Sequence, residues 1–241
     1  MAINIDTVYQ KVLALANKEQ RGYITPQEFN LLADKAQNEI YENYFHQART
    51  SNAKIKDDDQ HTDTLEMIEA KLAPFYGQHL NVTISSGVLD LSNSGLGADI
   101  YKIASVTYYV NNKHYVVTEV NKSEYNYLTT NSDSVLYPTT SRPIYFRQTA
   151  TSLNVTPQPV NGTMFTISYY KTPTTPKWDY VVVNEKALYN SNSSVDFELH
   201  ISEQENLVLR ILMLAGLTMQ RPDVVQAGGQ GLQMINQEQN S

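Results

Sequence analysis

SEQENLVLRILMLAGLTM, residues 202–219, is the one long segment of the chain that is apolar around most of a helical circumference. Leu207, Val208, Ile211, Leu212, Leu214, Ala215 and Leu217 leave Arg210 and the first turn as its polar positions. A helix hydrophobic nearly all round must be covered on several sides. Eighteen residues span about 27 Å, the width of a small domain. Glutamates open the segment, and it is short for a membrane span. Ser202 and Glu205 have the S-x-x-E spacing of a capping box, and Arg221-Pro222 closes the segment. The pattern predicts a central core helix.

Upstream of it, Thr172–Tyr180 (TPTTPKWDY) reads as an extended connection and Asn190–Ser194 as a loop. From about His79 the apolar period is close to 2, the period of strands. Val82, Ile84, Val88, Leu89 and Leu91 form short runs. Tyr101–Val110 and Lys113–Val120 flank Asn111-Asn112, a hairpin signal, and Ser123–Leu128 reads as a helical turn. Pro143–Gln148, Ser152–Thr156 and Thr163–Tyr170 bring the number of strands to about seven, at sandwich-like spacing.

The first 75 residues show helical periodicity. Ile5, Val8, Val12, Leu13 and Ala16 follow it, with Asn4 or Asp6 as cap. Thr25-Pro26-Gln27-Glu28 is a capping box with proline at the first helical position, and Ile24 and Phe29 stand at staple positions. Phe29, Leu32, Ala33, Ala36, Ile40 and Tyr44 share one face of the helix that follows. Arg49–Asp63 reads as a polar loop, and Leu65, Ile68 and Leu72 mark a third helix ending near Pro74. The expected fold class is α+β. N-terminal helices (1–76) and a C-terminal core helix with its tail (181–241) form a helical bundle, with an inserted antiparallel β-sandwich-like lobe (77–180).

Of the 241 residues, 41% are hydrophobic and only 18% charged, and 17 are tyrosine. A polar, uncharged, Tyr-rich composition suits broad wet interfaces. There is no cysteine, so disulfides, thiol catalysis and Cys-ligated metals are excluded. The opening MAINIDTVYQ lacks a signal-peptide pattern, which points to synthesis in a cytoplasm. Residues 1–75 carry 8 basic and 12 acidic side chains, residues 76–180 carry 7 and 6, and residues 181–241 carry 3 and 7. No Lys/Arg stripe of the kind that grips phosphates is present, so sequence-specific nucleic-acid binding is not expected.

Candidate chemistry is thin. Asp57, Asp58, Asp59, His61 and Asp63 are the densest set of hard-cation ligands. They lack the alternating spacing of a calcium loop and precede a helix start that favours acids anyway. His46, His61, His79, His114 and His200 form no H-x-x-x-H pair, and no nucleophile elbow or Walker loop occurs. Glu198, Glu203 and Glu205 read as capping and helix-dipole residues rather than an acid/base pair. No catalytic, cofactor or metal residue is expected. Trp178, alone of its kind, is either an interface anchor or a plug for the open end of the sandwich.

The order of segments carries a resemblance. Val88–Leu91, then Asp99-Ile100-Tyr101-Lys102-Ile103-Ala104-Ser105-Val106, then a hairpin, resembles the D-x-Y-R-x-x-S-V segment of virion proteins from short-tailed bacteriophages, with Lys102 where arginine is common. Arg142–Phe146, Leu153–Pro157, Ile167–Pro173, Trp178 and the closing segment from Asp196 to Gly216 continue it in order. Asn17–Pro26 is similar to the start of ring-forming tail proteins of crAss-like phages and their relatives. The resemblance implies a head-to-tail adaptor: a homo-oligomeric ring, typically a dodecamer, beneath the portal protein and against adjacent tail or ring proteins. It implies a virion location in the neck or tail, no cofactor, no membrane span and no catalytic residue. The charge split gives a further expectation, that acidic helical regions face the DNA ejection channel. Partner-binding candidates are Trp178 and the glycine-broken tail residues Val224, Val225, Leu232, Met234 and Ile235, expected to order on docking. The alternatives from other classes are a β-sandwich adhesin module and a metal-assisted hydrolase built on Asp57–Asp63.

Overall fold

The computed structural model describes residues 2–18, 24–54, 60–85, 87–91, 100–110, 113–149, 151–160, 163–218, 229–230 and 232–234. The helices are α1 (Ile5–Lys18), α2 (Pro26–Lys54), α3 (Gln60–Leu72), α4 (Lys122–Thr130) and α5 (Gln204–Thr218). The strands are β1 (Tyr76–Ser85), β2 (Val88–Asp90), β3 (Ile100–Val110), β4 (Lys113–Glu119), β5 (Ile144–Arg147), β6 (Ser152–Thr156), β7 (Met164–Lys171), β8 (Tyr180–Val183) and β9 (Lys186–Tyr189). The protein is mixed α+β. It divides into two compact units, Met1–Pro74 with Pro173–Ser241, and Phe75–Thr172.

The Phe75–Thr172 unit is not a sandwich. Its strands form one closed barrel in the order β1-β2-β6-β5-β4-β3-β7, with β7 pairing back onto β1. Long strands and bulges explain the difference. Ten-residue β1 pairs with β7 along most of its length and with β2 at its end, and its register shifts between His79 and Val82. β3 shifts twice against β7. Such bulges add twist and curl a sheet until its edges meet. The β4–β5 pair is parallel, bridged by α4 and the segment after it. Inward residues from every strand fill the interior, among them Leu89, Val106, Leu153, Phe165 and Ile167. A Cβ at Gly77 would lie 2.8 Å from the outer end of the Tyr169 ring, so a larger residue there would displace that ring.

In the other unit, α5 packs against α1 and α2, and α2 against α3. Leu207, Val208, Ile211 and Ala215 are buried, as an all-round apolar helix requires. The Thr25 box forms as its spacing predicts. Glu28 N donates to Thr25 Oγ1 at 3.3 Å, and Thr25 N and Oγ1 donate to Glu28 Oε2 at 2.9 and 2.8 Å. Ile24 and Phe29 are both buried.

Three expectations about this unit are corrected. α2 continues to Lys54, so the polar run from Arg49 is partly helical. Propagating an established helix adds one backbone hydrogen bond per residue, which carries α2 through the weak helix formers Thr50, Ser51 and Asn52 without an apolar face. The Ser202–Glu205 box does not form. A 3₁₀ turn, Ile201–Glu203, precedes α5, and His200 accepts the Ser202 N–H as its cap. Glu205 instead pairs with Lys11. Finally, residues 173–180 belong with the helices rather than the β unit.

Candidate functional site

Trp178 shows why that connection stays with the helices. Asn30 Oδ1 accepts the Trp178 N–H at 2.8 Å, and Asn30 Nδ2 donates to the Trp178 carbonyl at 3.1 Å. Two turns along the same face of α2, the fully buried Gln37 amide donates to the Thr174 carbonyl at 2.8 Å and accepts Glu198 N–H at 3.2 Å. Side-chain amides thus replace the ladder that an extended segment would otherwise need. The Trp178 indole is 3% exposed, lies 4.3 Å from the Tyr9 ring and donates Nε1–H to Asp6 Oδ1 at 2.9 Å. Neither role expected of it applies: Trp178 is core of the helical unit, with no face left for a partner and no position in the barrel. Asp6 is accordingly not the cap of α1. Asn4 caps it through Thr7 N–H, and Asp196 Oδ1 takes the Ile5 N–H at 2.8 Å.

The densest polar constellation lies between α2, α3 and α5. Glu203, 2% exposed, pairs with Lys71 at 2.7 Å and accepts from Asn206 Nδ2 at 2.7 Å. Asn206 Oδ1 accepts Arg210 Nε–H at 3.2 Å, and Arg210 Nη1 reaches Glu39 Oε2 at 3.5 Å. The Tyr44 hydroxyl is buried beside this pair. Burial, then the Glu203 charge, pushes its ionisation far above the ordinary phenol range. The relay ends in a shallow cleft of about 400 Å³ lined by Glu39, Glu42, Asn43, His46 and Arg210. Arg210 is committed to Asn206 and Glu39, and no nucleophile–base pair faces this cleft. The arrangement locks helices together.

Asp57, Asp58 and Asp59 lie outside the described residues, and His61 and Asp63 fall in the first turns of α3. Among the described residues no group of three His, Asp or Glu could hold a metal ion, and no helix is long and apolar enough to cross a membrane. Val224, Val225 and Ile235 also lie outside the described residues. Leu232 is buried and Met234 exposed.

The β8–β9 hairpin was marked by no expectation above. Asn184 and Glu185, at φ 50° and 63°, form a two-residue turn with both positions left-handed. Asparagine between two apolar runs, Val181–Val183 and Ala187–Tyr189, is the sequence signal for it. The base of the hairpin is held by Tyr180 and Tyr189, each stacked 5.8 Å from Trp178. Beyond that base, Val181, Val182, Val183 and Leu188 are 45–63% exposed. Comparison of the chain with protein-family models and with curated proteins gives no match in either.

Proposed function

We propose that this chain is a structural virion subunit, one copy of a ring in a phage neck or tail that joins portal to tail around the DNA channel. The observation that carries the reading is the ordered run of segments from Val88 to Gly216 that resembles head-to-tail adaptors. In this reading the helical unit is a bundle and no residue performs catalysis. Apolar side chains displayed on ordered structure add support: the hairpin valines, and Val135 and Leu136 in a turn held by the Arg142 guanidinium on the Val135 carbonyl at 2.9 Å. A subunit that spends its life in contact with copies and neighbours has such surfaces to cover. The adhesin alternative loses its aromatic anchor, because Trp178 is buried.

Mass photometry and negative-stain microscopy of the purified chain, alone and with its candidate portal protein, test the proposal. A closed ring, or one formed only on the portal, is the expected outcome. A monomer indifferent to the portal overturns it.

A further inference from the structure

Each strand of the barrel has a neighbour on both sides for at least part of its length, whereas β8 and β9 pair only with each other among the described strands and each keeps one whole edge open. Natural edge strands are guarded by lysine, proline or a bulge against pairing with another chain. β8, Tyr-Val-Val-Val, has none of these. The turn fixes which groups are unpaired. Val183 and Lys186 flank a two-residue loop, so they and Val181 with Leu188 exchange the hydrogen bonds inside the hairpin. The N–H and C=O of Val182 on β8, and of Ala187 on β9, therefore point outward. A two-stranded ribbon of four residues a side is marginal by itself, and adding strands is the direct remedy.

We propose that the hairpin pairs with the hairpin of a second copy, the outer edge of β8 against the outer edge of the neighbour's β9. The chain itself supplies the reason for choosing a second copy. β8 and β9 are equal in length and already match as antiparallel strands in this register. Repeating that register across the interface sets Val181 opposite Leu188 and Val182 opposite Ala187. The single charge, Lys186, falls opposite Val183, so no like charges meet. Pairing β8 with another β8 would leave both β9 edges open. β8-to-β9 pairing is heterologous, and a closed cycle of it leaves no edge anywhere. This inference rests on the ring reading for its symmetry.

The test uses the full-length chain, whose lack of cysteine makes any introduced thiol unique. Chains carrying Val182→Cys are mixed with chains carrying Ala187→Cys and oxidised, alone and with the candidate portal. Opposed hydrogen-bonded residues of antiparallel strands sit about 5.5 Å apart at Cα, within disulfide range. A 182–187 disulfide between chains is expected. Its absence under both conditions, or a dominant 182–182 link, overturns the proposal. Val182→Pro removes an outward N–H and leaves the bonds inside the hairpin intact; Val182→Lys adds an edge charge in case proline distorts the strand. Both should abolish the cross-link partner's docking and assembly, while unchanged Trp178 emission shows that the hairpin base is folded. If the wild-type chain forms a ring while the cysteine variants fail to cross-link and the Val182→Pro and Val182→Lys chains assemble normally, the pairing is sunk and the ring reading stays intact. Cross-linked open ladders that never close sink the ring reading and leave the pairing intact.

Discussion

At the scale of single residues, the Lys71–Glu203 pair decides most. Both side chains are nearly out of water, and the Asn206 amide satisfies the second carboxylate oxygen. Removing one partner leaves a buried charge uncompensated, whereas replacing both by apolar groups of similar volume removes the desolvation cost as well. Lys71→Met alone should cost about 3 kcal/mol, and Lys71→Met with Glu203→Leu should be near neutral. Urea unfolding followed by the emission of Trp178, the one tryptophan, measures both. A double variant as damaged as the single one contradicts this account. Tyrosines supply a second residue-scale prediction. Burial, then the Glu119 carboxylate that Tyr145 donates to at 3.1 Å, raises Tyr145 ionisation well above the ordinary range, and burial raises Tyr44 likewise. The folded state thus favours the neutral phenols. Their contribution is complete below the unfolded pKa, about 10, and is lost as pH rises beyond it. An alkaline absorbance titration should show the exposed tyrosines ionising first, with Tyr44 and Tyr145 following only as the structure opens. Tyr44→Phe and Tyr145→Phe should each remove part of that late phase.

At the scale of elements, α2 is set by its first turn. The Thr25 hydroxyl and the Glu28 carboxylate satisfy each other's backbone donors, and the buried Ile24 and Phe29 fix the entry angle. Thr25→Ala should cost about 1 kcal/mol, read as a lower urea midpoint at unchanged slope. Hydrogen bonds from the Thr25 backbone and then its hydroxyl hold the Glu28 carboxyl below the usual range. A depressed carboxyl contributes above its unfolded pKa and loses that contribution as pH falls through the folded one. The Thr25→Ala penalty should therefore shrink on acidification, and a pH-independent penalty would point to another cause. The hairpin shows the opposite balance. Its turn is strained at Glu185 and its valines are exposed, so it draws its order from the two tyrosines on Trp178.

At the scale of the whole molecule, charge and edges would govern the proposed assembly. Residues 75–172 carry 6 basic and 5 acidic side chains, and the other unit carries 12 and 20, so the net charge of −7 is concentrated on the helical unit. In the proposed ring, copies would repel one another through that charge, and salt screens such repulsion over about 10 Å at 0.1 M. Ring formation should accordingly strengthen from low to moderate salt in mass photometry. Weakening with salt would mean that opposite charges make the contact and would argue against apolar edge pairing.

Local and periodic features were legible in the chain by itself. The Thr25 box, a cap at Asn4 or Asp6, the positions of β3, β4, β6 and β7, and the burial of Leu207, Val208, Ile211 and Ala215 follow from spacing, because each depends on neighbours within a turn or a pleat. What residues distant in sequence do together was decided only by the tertiary structure. Closure of the barrel depends on bulges, which leave no period-2 signature. Trp178 is core because Asn30, Asp6 and Tyr9 converge on it across more than a hundred residues of chain. Glu203, read locally as a helix-dipole residue, is buried because α3 brings Lys71 to it. A carboxylate's place is set by the charge it meets, and the linear chain does not say where that charge will be.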